Sequence, residues 1–171
     1  MRKLLTLTLL LLPLVAQANP PAELRQVFHS KAPYSEAKLT FAWMDVYHIA
    51  LWTDAAAWKP DTRYALSITY DMAFSAEELV ERTCEEMARH YAEGKAICLA
   101  RKNELMRLMP DVLERDRITA LHTESGHVRF YKNGKATGEI TDAQFTRAFF
   151  AIWLGENTSE PKLRRQLLRQ E

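Results

Sequence analysis

Few side chains of this sequence stand at spacings that support catalysis or metal binding. None of the five histidines pairs with another histidine, a cysteine or a carboxylate at a spacing typical of metal ligands. The sequence also lacks a G-x-S-x-G nucleophile turn, a glycine-rich phosphate loop and a dinucleotide fingerprint. We therefore expect no metal and no cofactor. His122 and His127 flank a predicted hairpin turn, and we expect both to be solvated.

The two cysteines, Cys84 and Cys98, are the other candidates for chemistry. They fall on two successive predicted helices, seven residues on either side of Tyr91, close to the proposed turn. In an antiparallel helix pair such positions face each other, and their Cα atoms can come within about 7 Å, as a disulfide requires. Two buried thiols are the alternative, but export to an oxidising compartment favours the disulfide.

The first eighteen residues have the pattern of a secretory signal. A positively charged start precedes an apolar run over residues 4–15, and residues 16–18 form a small-x-small cleavage site. A membrane anchor is the alternative, but a run of twelve residues that includes Pro13 is shorter than the roughly 20 needed to span hydrocarbon. We expect cleavage after Ala18, which leaves residues 19–171 as a single periplasmic domain.

The charge of the chain excludes some classes of partner. The full sequence has 23 basic and 22 acidic side chains, and loss of Arg2 and Lys3 with the signal leaves 21 basic against 22 acidic, a net charge of −1. Interspersed and nearly balanced charges give no electrostatic basis for binding nucleic acid or an anionic membrane. We expect no nucleic-acid partner and no stable membrane insertion after signal removal, and the oligomeric state stays open.

The hydrophobic periodicity predicts six strands and four helices. Period-two and β-favouring runs predict the strands over residues 37–43, 45–53, 64–70, 117–123, 128–131 and 135–140. The first helix begins at a capping box on Ser75 and is expected to end at Gly94, and the second runs from about 95 to 109. A second capping box at Thr141 opens the third helix, and Ser159-Glu160-Pro161 opens the last.

The order of these elements predicts the fold class. Strands and helices come in separate runs, three strands, two helices, three strands and two helices. Such segregation favours an α+β fold in which helices cover one face of an antiparallel sheet.

The last third of the sequence carries a specific resemblance. It resembles the bacterial chalcone isomerase-like family in the blocks FYKNGK over 130–135, GEI over 138–140, FTRAFFAIWLG over 145–155 and TSEPKLR over 158–164. The earlier Val46–Trp52 stretch and the strand that leads into the Ser75 helix match the same family in order and spacing. The resemblance implies an open-faced sandwich with a ligand cleft between the sheet and its helices.

The resemblance also implies where a ligand would bind. The family's early-strand arginine falls near Lys38, and a threonine of its enzymes falls on Tyr47. Lysine keeps the positive charge but lacks the planar fork that grips a carboxylate at two points. The remaining polar site positions of the enzymes fall near Leu79 and Glu86 and on Ile152. The apolar Leu79 and Ile152 can line a hydrophobic cleft but cannot polarise a ketone.

Three hypotheses about function follow. We favour a non-catalytic binder of an amphipathic anion such as a fatty acid, with Lys38 and Tyr47 together holding its head group. The alternative is an isomerase, an intramolecular lyase of the chalcone isomerase type with altered site residues. A structural module with a collapsed cleft is the third. The ligand, any residual catalysis and the pathway stay open at this point.

Overall fold

The computed structural model describes residues 20–170. The predicted signal over residues 1–18 and its cleavage site lie outside the described residues. The strands are β1 Ser35–Phe41, β2 Met44–Trp52, β3 Tyr64–Tyr70, β4 Arg117–His122, β5 Val128–Lys132 and β6 Lys135–Ile140. The helices are α1 Ala76–Met87, α2 Gly94–Leu99, α3 Lys102–Leu108, α4 Ala143–Leu154 and α5 Pro161–Leu168, preceded by a 3-10 turn at Ala22–Leu24.

The six strands form one sheet in chain order, and every neighbouring pair is antiparallel. All helices that follow a strand pack against the same side of this sheet, so the α+β, open-faced architecture predicted from the sequence is confirmed. No helix within residues 20–170 is both long enough and apolar enough to cross a bilayer.

Alternation along the strands gives the sheet two unlike faces. The inner face contacts the helices and is apolar, with Ile49, Leu66, Ile68, Ile118 and Phe130 all buried in the main core. On the outer face a smaller cluster forms where the N-terminal segment lays Leu24 and Phe28 over Trp52, Ala65 and Leu121.

The helices differ from the prediction in three places. The capping box at Ser75 is present, but α1 ends at Met87, and Gly94 instead begins α2. A Cβ on Gly94 would lie 2.2 Å from the Met87 carbonyl oxygen, so the two helices can meet this closely only at glycine. The α4 cap is Asp142, whose carboxylate accepts hydrogen bonds from the amides of Gln144 and Phe145, and not Thr141.

The single helix expected over 95–109 is broken at Arg101. This residue departs from helical geometry, with φ −111° and ψ 12°, and separates α2 from α3. Its guanidinium donates to Glu104 at 2.8 Å and to Asp142 at 3.2 Å. Arg101 therefore links the junction of α2 and α3 to the start of α4.

The predicted disulfide between Cys84 and Cys98 is confirmed. The two Cα atoms are 5.2 Å apart, and both side chains are buried in the main core where α1 meets α2. The bond joins residues that are 14 apart in the sequence.

His122 corrects the expectation of a solvated turn residue. It is 7% exposed, because it ends β4 on the inner face of the sheet. Its ring stacks on Tyr64 at 4.6 Å between centroids, and its Nδ1–H donates to the Thr62 carbonyl at 2.9 Å. His127 is partly buried and contacts Glu139 at 3.0 Å.

We expect the disulfide to stabilise the fold by about 3 kcal/mol, the chain-entropy value for a loop of about 15 residues. The free energy of unfolding should fall by this amount when Cys84 and Cys98 are both replaced by alanine. Thiol labelling of the denatured, unreduced protein should find no free thiol, and labelling after reduction should find two. Two reactive thiols before reduction would contradict the bond.

His122 should make the fold less stable in mild acid. Burial lowers the pKa of its imidazole below 6.5, although the bond to Thr62 opposes this shift. The unfolded chain therefore takes up a proton that the folded chain resists, so the free energy of unfolding should drop as the pH falls from about 7 to 5. His122→Phe should reduce that drop by up to about 1 kcal/mol. The exposed His29→Gln is the control, and an equal drop in both variants would refute the assignment.

Candidate functional site

The predicted site residues divide between the two faces of the sheet. Paired residues of neighbouring strands point to the same side, and Lys38 pairs with His48 whereas Tyr47 pairs with Leu39. Tyr47 and Leu39 pack on the inner core, and Lys38 lies on the outer face. The prediction that Lys38 and Tyr47 together hold one head group is therefore wrong, because their alternating positions send them to opposite sides.

The inner face holds a small apolar cleft between β3, α1 and α4. Its volume is about 40 Å³, and its lining includes Leu79, Met109, Phe149, Trp153 and the ring of Tyr70. Leu79 is thus where the family resemblance implied. Thr83 also lines the cleft, but its hydroxyl already donates to the Leu79 carbonyl at 2.8 Å.

Tyr70 lines this cleft, and Tyr47 is its pairing partner on the neighbouring strand. Their rings meet edge to face with centroids 6.2 Å apart, and Tyr47 accepts a hydrogen bond from the Trp153 indole N–H at 3.1 Å. Within residues 20–170 neither phenol donates its own proton to a protein acceptor. Two hydrogen-bond donors are therefore left for another group.

Burial keeps both phenols neutral. It raises the pKa of Tyr47 to about 12, with a further rise from Glu160 and Glu86 that the Trp153 bond and Arg82 offset. Burial raises the pKa of Tyr70 even further above its usual range, and Tyr47 adds to the effect. At neutral pH these groups can donate to a carboxylate or a carbonyl oxygen but cannot serve as phenolate bases.

Glu86 lies near Tyr47 and is almost fully buried, with its side chain 5% exposed. Arg82 Nη2 is 2.7 Å from one carboxylate oxygen, and Arg89 Nε is 3.4 Å from the other. Neither oxygen has a well-aligned hydrogen bond to a described residue. The two arginines balance its charge, so Glu86 contributes a paired ion and not a free base.

The fifth predicted residue, Ile152, is buried in the same core but does not line the cleft. Its neighbour Trp153 does so instead, since successive residues of a helix point about 100° apart. Sequence reasoning did not assign Tyr70 or Trp153 to the site. The helical spacing of Phe145, Phe149 and Trp153 is the signal that could have indicated Trp153.

The outer face carries a wider groove of about 690 Å³ beside the N-terminal segment. Its cations are already paired: Lys38 Nζ is 2.8 Å from Asp45, and Arg117 Nη2 is 3.3 Å from the buried carboxylate of Glu23. Trp52 also donates its indole N–H to Ser67 within the sheet. The groove therefore offers a ligand few unsatisfied groups.

Three side chains beside this groove could share a cation. Ligand atoms of Asp45, His48 and Asp71 lie within 4.8 Å of one another. The ammonium group of Lys38 already contacts Asp45 at 2.8 Å, and the His48 ring contacts Asp71 at 3.3 Å. Lys38 thus pairs with Asp45, whereas one buried oxygen of Asp71 has no well-aligned hydrogen bond to a described residue.

A family described as chalcone isomerase-like matches residues 40–169. A solved fatty-acid binding protein of Arabidopsis thaliana has the same fold with a TM-score of 0.60, 10% sequence identity, and coverage of 82% of this chain and 88% of that one. No curated protein sequence matches the chain.

The contribution of the Arg82–Glu86 pair to the free energy of unfolding should be measurable. Arg82→Ala removes the nearer positive charge from a buried carboxylate, and we expect the free energy of unfolding at pH 7 to fall by about 1–3 kcal/mol. Glu86→Gln in the Arg82→Ala background should recover part of this loss, because an amide is less costly to bury than a charge. Arg147→Ala, an exposed arginine on α4, is the matched control and should change stability by no more than about 0.5 kcal/mol. Strict additivity of the two site variants would show that the pair is not coupled.

Proposed function

This chain belongs to the chalcone isomerase-like family, and from that premise we propose that it is a non-catalytic binder of an amphipathic anion such as a fatty acid. The observation that carries the proposal is a pair of undonated phenol protons, one on Tyr70, which lines an apolar cleft, and one on Tyr47 beside it. A carboxylate accepts two or more hydrogen bonds, and bonds to a charged acceptor are the stronger kind. The fatty-acid binding protein of Arabidopsis thaliana supports the choice of ligand class through its shared fold.

The hydrocarbon tail requires the cleft to widen. A cleft of about 40 Å³ is far below the roughly 300 Å³ at which ligand pockets begin. The tail would therefore part α1 from α4 by displacing Leu79, Phe149 and Trp153. These side chains would in turn form the apolar lining of the occupied site.

Export to the periplasm is the second part of the proposal. Residues 1–18 have the charged start, apolar run and cleavage site of a secretory signal. The Cys84–Cys98 disulfide supports an oxidising compartment, where such bonds persist. A periplasmic binder of this kind would carry an amphipathic molecule that water dissolves poorly.

The intramolecular lyase remains the alternative. Tyr47 and Tyr70 could polarise a ketone, but the apolar Leu79 and Ile152 stand where the family resemblance places polar groups in the enzymes. Glu86 is held by Arg82 and Arg89. Because Glu86 is paired and Leu79 and Ile152 carry no hydroxyl group, the site favours binding of a ligand over catalysis.

Tyr47→Phe should weaken binding of a long-chain fatty acid by about 1.5–3 kcal/mol, the value of a hydrogen bond to a charged group. It should weaken the matching fatty alcohol less, by about 0.5–1.5 kcal/mol. Tyr70→Phe should act in the same direction. Calorimetric titration of both ligands against each variant measures the difference.

Lys38→Met is the control, because Lys38 lies on the other face and pairs with Asp45. Fatty-acid affinity should be unchanged in this variant. A loss in Lys38→Met with none in Tyr47→Phe would move the site to the outer groove. A saturable cyclisation of a hydroxychalcone that Tyr47→Phe abolishes would instead establish the lyase.

A further inference from the structure

The turn between β1 and β2 exposes three large apolar side chains. Trp43 is 97% exposed, Phe41 is 72% exposed and Met44 is 54% exposed. They are consecutive apart from Ala42, so they form one convex tip, which we call the hairpin tip, residues 41–44. Single exposed apolar residues are ordinary, but a contiguous exposed set marks a contact surface.

The hairpin tip projects beyond the rest of the sheet. Tyr47 pairs with Tyr70, the last residue of β3, so Met44 and Asp45 have β1 as their only strand partner. The turn also has a backbone conformation that is unfavourable for these residues, since Ala42 and Trp43 both have positive φ, at 46° and 69°. Asn-Gly satisfies such a turn at lower conformational cost. Folding alone therefore gives no reason for a tryptophan at this point.

A ring of paired charges lies behind the tip. Lys38 contacts Asp45 at 2.8 Å, and His48 contacts Asp71 at 3.3 Å. At roughly 3.3 Å per strand residue, the Lys38–His48 level lies about 10 Å behind the turn. Amphipathic elements at a membrane surface bury their apolar parts by roughly 5–10 Å. The Lys38–His48 level lies at the limit of that depth, and Asp45, which directly follows the tip, is paired with Lys38.

A second copy of the chain fits the tip less well. Each large side chain can bury roughly 150–250 Å², so the three offer on the order of 500 Å² at their measured exposures. A stable protein interface needs about 800 Å² on each partner with complementary shape. A bilayer needs no complementary shape, and aromatic side chains favour its interfacial region.

We propose that the hairpin tip inserts into the surface of a lipid bilayer, and that uncharged lipid suffices. The tip has no charge of its own, and Lys38 behind it is paired with Asp45. Tyr47 follows Met44 by three residues on β2, which sets the tip near the two phenol groups. The inference rests on the proposed function, and it assigns the bilayer as the source and destination of the amphipathic ligand.

The test uses protein recovered after export and vesicles of phosphatidylcholine, with or without an anionic phospholipid. The protein should float with neutral vesicles, and its tryptophan emission should shift to shorter wavelength. Trp43 is the probe, because Trp52 is buried and Trp58 and Trp153 are partly buried. Changing the salt concentration should alter binding little, because the contact is apolar.

The decisive variant is the double substitution Ala42→Asn, Trp43→Gly. It keeps the turn and relieves its backbone while removing the large apolar group, so loss of folding cannot explain its effect. Partitioning to vesicles should fall by at least about tenfold. Leu99→Ser is the matched control, because Leu99 is 47% exposed on α2 in the helix layer and should not affect partitioning.

Three results would overturn the inference. They are unchanged partitioning of the double variant, binding only to anionic vesicles that salt abolishes, and a dimer in sedimentation that the double variant dissociates. The last would assign the tip to a second copy. Fatty-acid titration without vesicles separates the two proposals: vesicle binding by a protein that binds no fatty acid would refute the function and support the hairpin assignment.

Discussion

The structure depends on one constraint, the period-two alternation of six strands paired in register. Because pairing is antiparallel throughout, each inward side chain of the four inner strands lies beside inward side chains on both neighbours. Residues such as Ile49, Leu66 and Ile118 thereby form a continuous apolar floor that only a helix layer can cover. A shift of one residue would send this set to the outer face. Register thus decides the core and, with it, which polar groups can reach the cleft.

The helix layer is held over that floor by local devices near the site. Ser75 and Glu78 cap the start of α1, the Cys84–Cys98 disulfide ties its far half to α2, and Gly94 permits the close approach of the two helices. α1 carries Leu79 and Glu86, so these devices also position the cleft. Phe149 and Trp153 of α4 form the other wall of the cleft. Their rings meet edge to face with centroids 5.4 Å apart, and Trp153 also donates to Tyr47.

Local signals explain what the sequence could predict. Capping at Ser75 and the spacing of the two cysteines act over short stretches of sequence, and the start of α1 and the disulfide followed from them. The side of the sheet on which Lys38 lies depends on pairing with His48, a contact between strands that resemblance to a family does not determine. The break at Arg101 depends on Asp142, 41 residues away. The burial of His122 likewise depends on Tyr64 and Thr62 across the sheet.

The narrow cleft and the unused phenol protons are best understood together. Tyr47 already accepts a hydrogen bond from Trp153, and the proton of each phenol is free to bond to water or to a ligand oxygen. A cleft of about 40 Å³ admits a few waters, each of which needs about 10–15 Å³ on this measure, but it admits no hydrocarbon chain. A small oxygen-bearing group can therefore enter beside Tyr70 without moving α1 or α4. A carboxylate would enter at the position such a group occupies, and its tail would then separate side chains that touch only through apolar contact. The favourable part of the binding free energy thus comes from hydrogen bonds to the carboxylate. The unfavourable part comes from separating the apolar side chains that the tail displaces.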